Sequence, residues 1–234
     1  MNSRNSTDKI LRLVFVRHEQ PYYKDVGHDL TPQGVQGARQ IGEKLINEKF
    51  IDKTKEVLLL HSPKPRAKGT LEYLVEGAGI SGSFTEVADI RSSDFADLEA
   101  FLKREKDLAL TLDDVAREHY ENDDLYKNSP HIVETHYSRQ KRLYSFLSQL
   151  IREHVESGHN DKQIIAVSHF EIIMHIIDDV FDIRSFSTYM APALGEFVVI
   201  DVNHTNDPGV FQLCVSFRDR KECKLFNLQS QSII

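Results

Sequence analysis

Short apolar runs that end on polar, chemically capable residues alternate along this chain with segments of helical period. Leu11-Arg12-Leu13-Val14-Phe15-Val16 is the first run, and it ends on Arg17-His18. Val57-Leu58-Leu59-Leu60 is the second, broken by His61-Ser62-Pro63-Lys64-Pro65. Ile164-Ile165-Ala166-Val167-Ser168 is a third, and it ends on His169. Runs this short, aliphatic and aromatic, read as buried strands. Between them lie apolar positions at helical spacing. Thr31-Pro32 opens one helix, with Thr as N-cap and Pro at the first helical position, and Val35, Ala38, Ile41, Leu45 and Ile46 recur on its inner face. A second helix begins near Arg66, a third covers 134–156, and an apolar fourth runs from Glu171 to about Asp182. Strands alternating with helices predict a three-layer α/β/α sandwich with a mostly parallel central sheet.

The rest of the chain is less patterned. Phe84 to Val87 reads as a short strand. Phe197 to Val202 and Phe211 to Ser216 read as two more, paired at a sheet edge. Residues 1–9 read as a loose tail and 218–234 as a polar one. Residues 97–130, rich in Asp, Glu and Lys, read as a helical insertion lying over the active-site edge. No repeat or low-complexity linker divides the 234 residues, so a single domain over 1–234 is expected.

The formal net charge of -7, with no Lys/Arg block, argues against nucleic acid and anionic membrane as partners. No apolar stretch approaches a membrane span, and the polar N-terminus lacks a signal-peptide core, so a cytoplasmic protein is expected. Nothing in the sequence sets an oligomeric state. Two cysteines do not make a disulfide scaffold, and Cys214, in an apolar run, reads as a small buried hydrophobe.

Three strand-to-helix loops on one edge of a parallel sheet carry the chemistry. Arg17-His18 follows the first strand, Ser62 and Arg66 the second, and Ser168-His169 a later one. Ligands bind at that edge in open α/β sheets. Two guanidiniums and two imidazoles suit a phosphoryl group. Guanidinium forks match phosphate oxygens, and a neutral imidazole nitrogen can attack phosphorus. Residue types and spacing alone reach an anion site.

Four segments resemble a family. Val14-Phe15-Val16-Arg17-His18, followed by Gln20, looks like the Arg-His-Gly opening of the histidine phosphatase superfamily, the phosphoglycerate mutase-like proteins. Leu30-Thr31-Pro32-Gln33-Gly34-Val35-Gln36-Gly37-Ala38 is similar to its Leu-Thr-x-x-Gly-x-x-Gln-Ala segment. Ser62-Pro63-Lys64-Pro65-Arg66-Ala67-Lys68-Gly69-Thr70 resembles its Ser-Pro-x-x-Arg-Ala-x-Gln-Thr segment, and Val167-Ser168-His169 its second histidine. The resemblance implies that His18 is the nucleophile and that Arg17, Arg66 and His169 hold the phosphate. Gln20 and Ser62 would touch substrate, and no metal or other cofactor would be needed. The partner implied is a small phosphorylated metabolite or a phosphopeptide.

The chain also departs from that pattern. Glu19 replaces the glycine after the nucleophile, where its carboxylate either points outward or repels an anionic substrate. Gly37 interrupts the Gln-Ala pair, and Gly69 stands where Gln is usual. Ile90-Arg91-Ser92-Ser93-Asp94 aligns Ser92 with the family's acid, and serine cannot protonate a leaving alkoxide as a carboxylic acid does. Asp94 is taken as the donor, with Asp89 and Glu171 as other candidates. A phosphatase acting through phosphohistidine is the expected function. A phosphoglycerate mutase-type phosphotransferase and a non-catalytic phospho-ligand or phosphoprotein-binding module are the alternatives. Metal hydrolysis by His131, Glu134 and His136, or by His169 and His175, lacks a recognised ligand spacing.

Overall fold

The computed structural model describes residues 9–22, 30–93, 134–156, 158, 161–183 and 192–234, together with Glu99, Lys103, Lys106 and Asp107. In chain order these give β1 (Lys9–Arg17), α1 (Pro32–Asn47), β2 (Val57–His61), α2 (Pro65–Ala78), β3 (Phe84–Glu86), α3 (His136–Glu156), β4 (Lys162–Ser168), α4 (Phe170–Phe181), β5 (Phe197–His204), β6 (Val210–Phe217), β7 (Arg220–Asn227) and β8 (Ser232–Ile233). A 3₁₀ turn at Ala88–Ile90 follows β3. The expected insertion over 97–130 lies outside the described residues, apart from those four isolated positions, which are helical and exposed.

The strands form one sheet in the order β3-β2-β4-β1-β5-β6-β7-β8. The first four pair in parallel. β5 runs antiparallel to β1, and every pairing beyond it is antiparallel. The sheet is therefore mixed, and the expectation of a mostly parallel one is corrected. Parallel neighbours need a crossover of a dozen residues or more. Residues 205–209, 218–219 and 228–231 are too short for that, so β5 to β8 fold back on each other.

β1 lies inside the sheet with helices over both faces, which is why its run is apolar almost throughout. Alternate side chains enter different cores. Leu11, Leu13 and Phe15 join the core under α3 and α4, whereas Val14 and Val16 join the one under α1 and α2. α1 starts as its sequence predicts: Thr31 Oγ1 accepts the Gly34 N–H at 3.0 Å, with Pro32 opening the helix. α1 and α2 touch backbone to backbone. A Cβ on Gly42 would overlap the Leu74 carbonyl, and one on Gly77 the Arg39 carbonyl.

Three further expectations change. Residues 1–8 lie outside the described residues, and Lys9 already belongs to β1, its ammonium 2.9 Å from Asp161. Residues 218–234 are not a tail: β7 pairs with β6 along its whole length, and β8 pairs with β7. Cys214 is buried, as expected, yet it faces Cys223 across that ladder and the two are joined in a disulfide. Phe226 is the fully buried residue of β7, packed in the α3/α4 core with its ring 5.7 Å from that of Tyr144. Phe226→Ala should lower stability by about 3–5 kcal/mol, the usual cost of truncating a core phenylalanine. Urea denaturation measures this, and an unchanged midpoint would return 218–234 to the status of a dispensable tail.

Candidate active site

The register of β1 against β4 sets Arg17 opposite Ser168. The ladder runs on past the strand ends, with the His18 N–H donating to Ser168 O at 3.0 Å and the Ser62 N–H to Val167 O at 3.0 Å. His18, Ser62 and His169 therefore leave the sheet at one edge. The two histidine rings lie 5.1 Å apart, both buried.

His18 Nδ1 lies 2.8 Å from the Glu19 carbonyl. A carbonyl only accepts, so Nδ1 carries the proton and Nε2 keeps its lone pair. Arg66 Nε donates to that Nε2 at 3.0 Å. The His18 pKa is pulled down to about 3, first by burial and then by His169, Arg66 and Arg17. The neutral imidazole is thus the form present near pH 7.

Arg66 also donates from Nη2 to His169 Nδ1 at 3.3 Å. That leaves the His169 Nε2–H for Ser62 Oγ, 2.6 Å away. Burial, then Arg66 and Lys64, hold the His169 pKa well below the ordinary histidine range. Ser62, expected as a substrate contact, is fully buried, and its hydroxyl already lies between His169 and the Lys64 N–H. Arg17 donates from Nη1 to the Pro192 carbonyl at 2.6 Å, and its guanidinium carbon lies 5.4 Å from the centre of the Phe170 ring. The backbone of Gln20 anchors α1, its carbonyl accepting the Thr31 N–H at 2.9 Å.

Thr70, the last residue of the Ser62–Thr70 segment, links two parts of the site. Its hydroxyl accepts the Glu19 N–H at 2.9 Å and donates to Arg66 O at 2.8 Å, joining the His18 loop to the arginine that meets it. The signal available in the sequence was its place in that segment, and the structure shows it fully buried with both bonds made.

Among the candidate donors, Asp94 lies outside the described residues. Ser92 and Ser93 are buried. Glu171, in the first turn of α4, accepts the Ser93 N–H at 2.9 Å. Arg139, wholly buried, donates to Ser93 Oγ at 3.1 Å. Of the residues suggested for a metal, His131 lies outside the described residues, His136 meets His175 edge to face with ring centroids 4.2 Å apart, and no metal-ligand cluster forms among the described residues.

The Glu19 side chain packs against Gly37 of α1 and against Gly195. Its Oε2 accepts the Gln20 N–H at 3.1 Å, and burial raises its pKa, opposed by Gln20 and Arg17. A Cβ at Gly37 or Gly195 would overlap Oε1. The family pattern has a small residue at 19 and a long one at 37, and this chain has the reverse. Gly37→Gln should therefore destabilise the protein, and Glu19→Gly in the same chain should recover most of the loss. Thermal melting of the two single variants and the double reads this, and additive losses would remove the link.

The match to a family model for the histidine phosphatase superfamily (branch 1) covers residues 13–206. No curated protein matches the chain. Solved structures do. A mycobacterial glucosyl-3-phosphoglycerate phosphatase aligns with TM-score 0.60 at 18% identity, over 92% of this chain and 97% of that one. A phosphoglycerate mutase from Bacillus anthracis aligns with TM-score 0.61 at 15% identity, over 85% and 90%. A phosphoserine phosphatase from Entamoeba histolytica, in complex with 3-phosphoglyceric acid, aligns with TM-score 0.53 at 15% identity, over 81% and 90%. At such identities these are likenesses of fold. The family match includes the loops that carry Arg17, His18, Arg66 and His169, and the chain belongs to the histidine phosphatase superfamily, branch 1.

Proposed function

We propose that the protein hydrolyses phosphomonoesters through a phosphohistidine formed on His18. The observation that carries the reading is the His18 Nδ1 bond to its neighbour's carbonyl, which leaves Nε2 as a nucleophile facing Arg66. An imidazole free of its second proton can attack phosphorus. Arg66 and Arg17 supply the charge that draws in a phosphate dianion.

Burial first, and then Arg66 and Lys64, keep His169 neutral without phosphate. A bound dianion supplies the counter-charge with which His169 takes a solvent proton on Nδ1, in place of Arg66 Nη2, and hydrogen-bonds a phosphate oxygen through it, while its Nε2–H stays on Ser62. The His18–phosphorus bond forms as the ester oxygen leaves, and Asp94 supplies the proton that the oxygen needs. Water then attacks phosphorus and passes a proton to the Asp94 carboxylate, the His18–phosphorus bond breaks, and inorganic phosphate, the neutral imidazole and the protonated acid are restored. The substrate class is a small phosphorylated metabolite or phosphopeptide, a reading supported by fold neighbours named for glucosyl-3-phosphoglycerate and phosphoserine.

One observation favours a phospho-ligand-binding module instead. Ser92, buried, puts a hydroxyl where the family alignment implies an acid. Turnover separates the two readings. Wild type should hydrolyse an aryl phosphate, and His18→Ala should lose at least about a thousandfold in kcat, the scale for removing a nucleophile. Alkaline quenching during turnover should leave a phosphoryl group on His18 by mass spectrometry. Equal rates in the two proteins, or saturable phosphate binding without turnover, would sink the hydrolase reading. Asp94→Asn should slow alkyl phosphates by about a hundredfold while sparing aryl phosphates, whose leaving groups need no acid. Equal slowing of both would take the donor role from Asp94.

A further inference from the structure

The guanidinium of Arg17 is aimed by a loop distant in sequence, and that loop is held by a side-chain pair on its far side. Arg17 Nη1 donates to Pro192 O at 2.6 Å. The Arg17 backbone exchanges two further bonds with the same loop, from its N–H to Glu196 O at 2.9 Å and to its carbonyl from the Gly195 N–H at 3.2 Å. The Glu196 carboxylate closes the loop on itself by accepting the Ala193 N–H at 2.6 Å, and the Glu196 N–H returns to Ala193 O at 3.0 Å. Both carboxylate oxygens also meet Arg218, Nε to Oε1 at 2.9 Å and Nη2 to Oε2 at 2.7 Å.

Arg218 lies in the two-residue turn between β6 and β7, whose last pair is Phe217 with Arg220. Its φ is +55°, a left-handed conformation that a residue with a Cβ adopts at a cost. Its guanidinium carbon also sits 4.7 Å from the centre of the Phe217 ring. The pair is about one-third exposed on each side, so its contribution to overall stability is small. What a two-point pair fixes there is geometry. We propose that Glu196 and Arg218 are positioning residues: through the 192–196 loop they hold the Pro192 carbonyl where it orients Arg17 toward phosphate. The β6–β7 hairpin, cross-linked by Cys214–Cys223, is the rigid arm that carries Arg218.

This inference rests on the phosphate site proposed above, so the experiment reads phosphate binding directly. Inorganic phosphate is titrated by calorimetry into wild type, Arg218→Ala, Arg218→Lys and Glu196→Ala, with thermal melting alongside. Arg218→Ala and Glu196→Ala should each weaken phosphate by about tenfold, the scale on which supporting residues act. Arg218→Lys, which keeps the charge and loses the fork, should fall between. In an Arg17→Lys background, where the bond to Pro192 is already altered, Arg218→Ala should cost almost nothing more. A merely structural pair would shift melting without this dependence on Arg17. Wild-type affinity in Arg218→Ala, or a full additional loss in the Arg17→Lys background, would overturn the proposal. If Glu196→Ala fails to fold, the two Arg218 variants decide alone, since they alter only a surface turn. A wild-type protein that binds no phosphate would overturn the phosphate site itself, and the positioning role with it.

Discussion

The parallel pairing of β1 with β4 is the constraint on which the rest depends. Two parallel strands end at the same edge, whereas an antiparallel pair ends at opposite ones. Because Arg17 lies opposite Ser168, His18 and His169 emerge together, and β2 delivers Ser62 beside them. A slip of one residue would exchange the cores into which Phe15 and Val16 point. Arg12 opposes such a slip. It is the charged residue inside the apolar run, and it grips Asp201, directly opposite on β5, with bonds of 2.7 and 2.9 Å. One polar pair therefore anchors a strand whose neighbours are nearly all apolar.

The electrostatics of the edge follow from the same convergence. Burial is the largest influence lowering the pKa of both His18 and His169, and nearby cations add to it. Those cations are the groups suited to bind phosphate. Arg66 and Arg17 add to burial and to His169 in keeping His18 neutral, and in the proposed reaction they also attract the anion. The chain carries seven more formal negative than positive charges, so this attraction is local. It comes from low-dielectric surroundings that strengthen a few charges, not from the protein's net field.

The parallel half of the fold was legible in the sequence because its central strands, β1 and β4, are covered on both faces. Coverage of that kind leaves a nearly continuous apolar run, and the residue that ends the run is the one delivered to the edge. Arg17, His18 and His169 could be placed for that reason, and Arg66 by the helix that follows β2. The antiparallel half was less legible. β7 sends Phe226 alone fully into the core, so its pattern is that of a polar tail, although its backbone pairs throughout. Cys223 is exposed on that strand, and its bond to Cys214 became visible only once the strand was known. Pro192 and Glu196 escaped for a different reason. One acts through its carbonyl on Arg17 and the other through its carboxylate on Arg218, and no local pattern records such contacts between residues distant in sequence.

Departures from the family pattern fall into two physical kinds. Glu19 and Gly37 look like two separate losses in sequence, but in space they are one exchange. The carboxylate occupies room that a side chain at 37 would fill, and it points away from the imidazole toward α1 and Gly195. The His18 loop keeps its bonds to Thr70 and Ser168, so the exchange leaves the proposed nucleophile in place. Ser92 has no such partner change among the described residues. Instead the next residue is fixed twice, by Glu171 at its N–H and by Arg139 at its hydroxyl. Burying a guanidinium whole is costly, and its bonds to Ser93 and to the Glu134 carbonyl offset only part of that cost. What the arrangement secures is the position of Ser93. The donor role proposed for Asp94 depends on that, because a general acid is effective only when it is held in place.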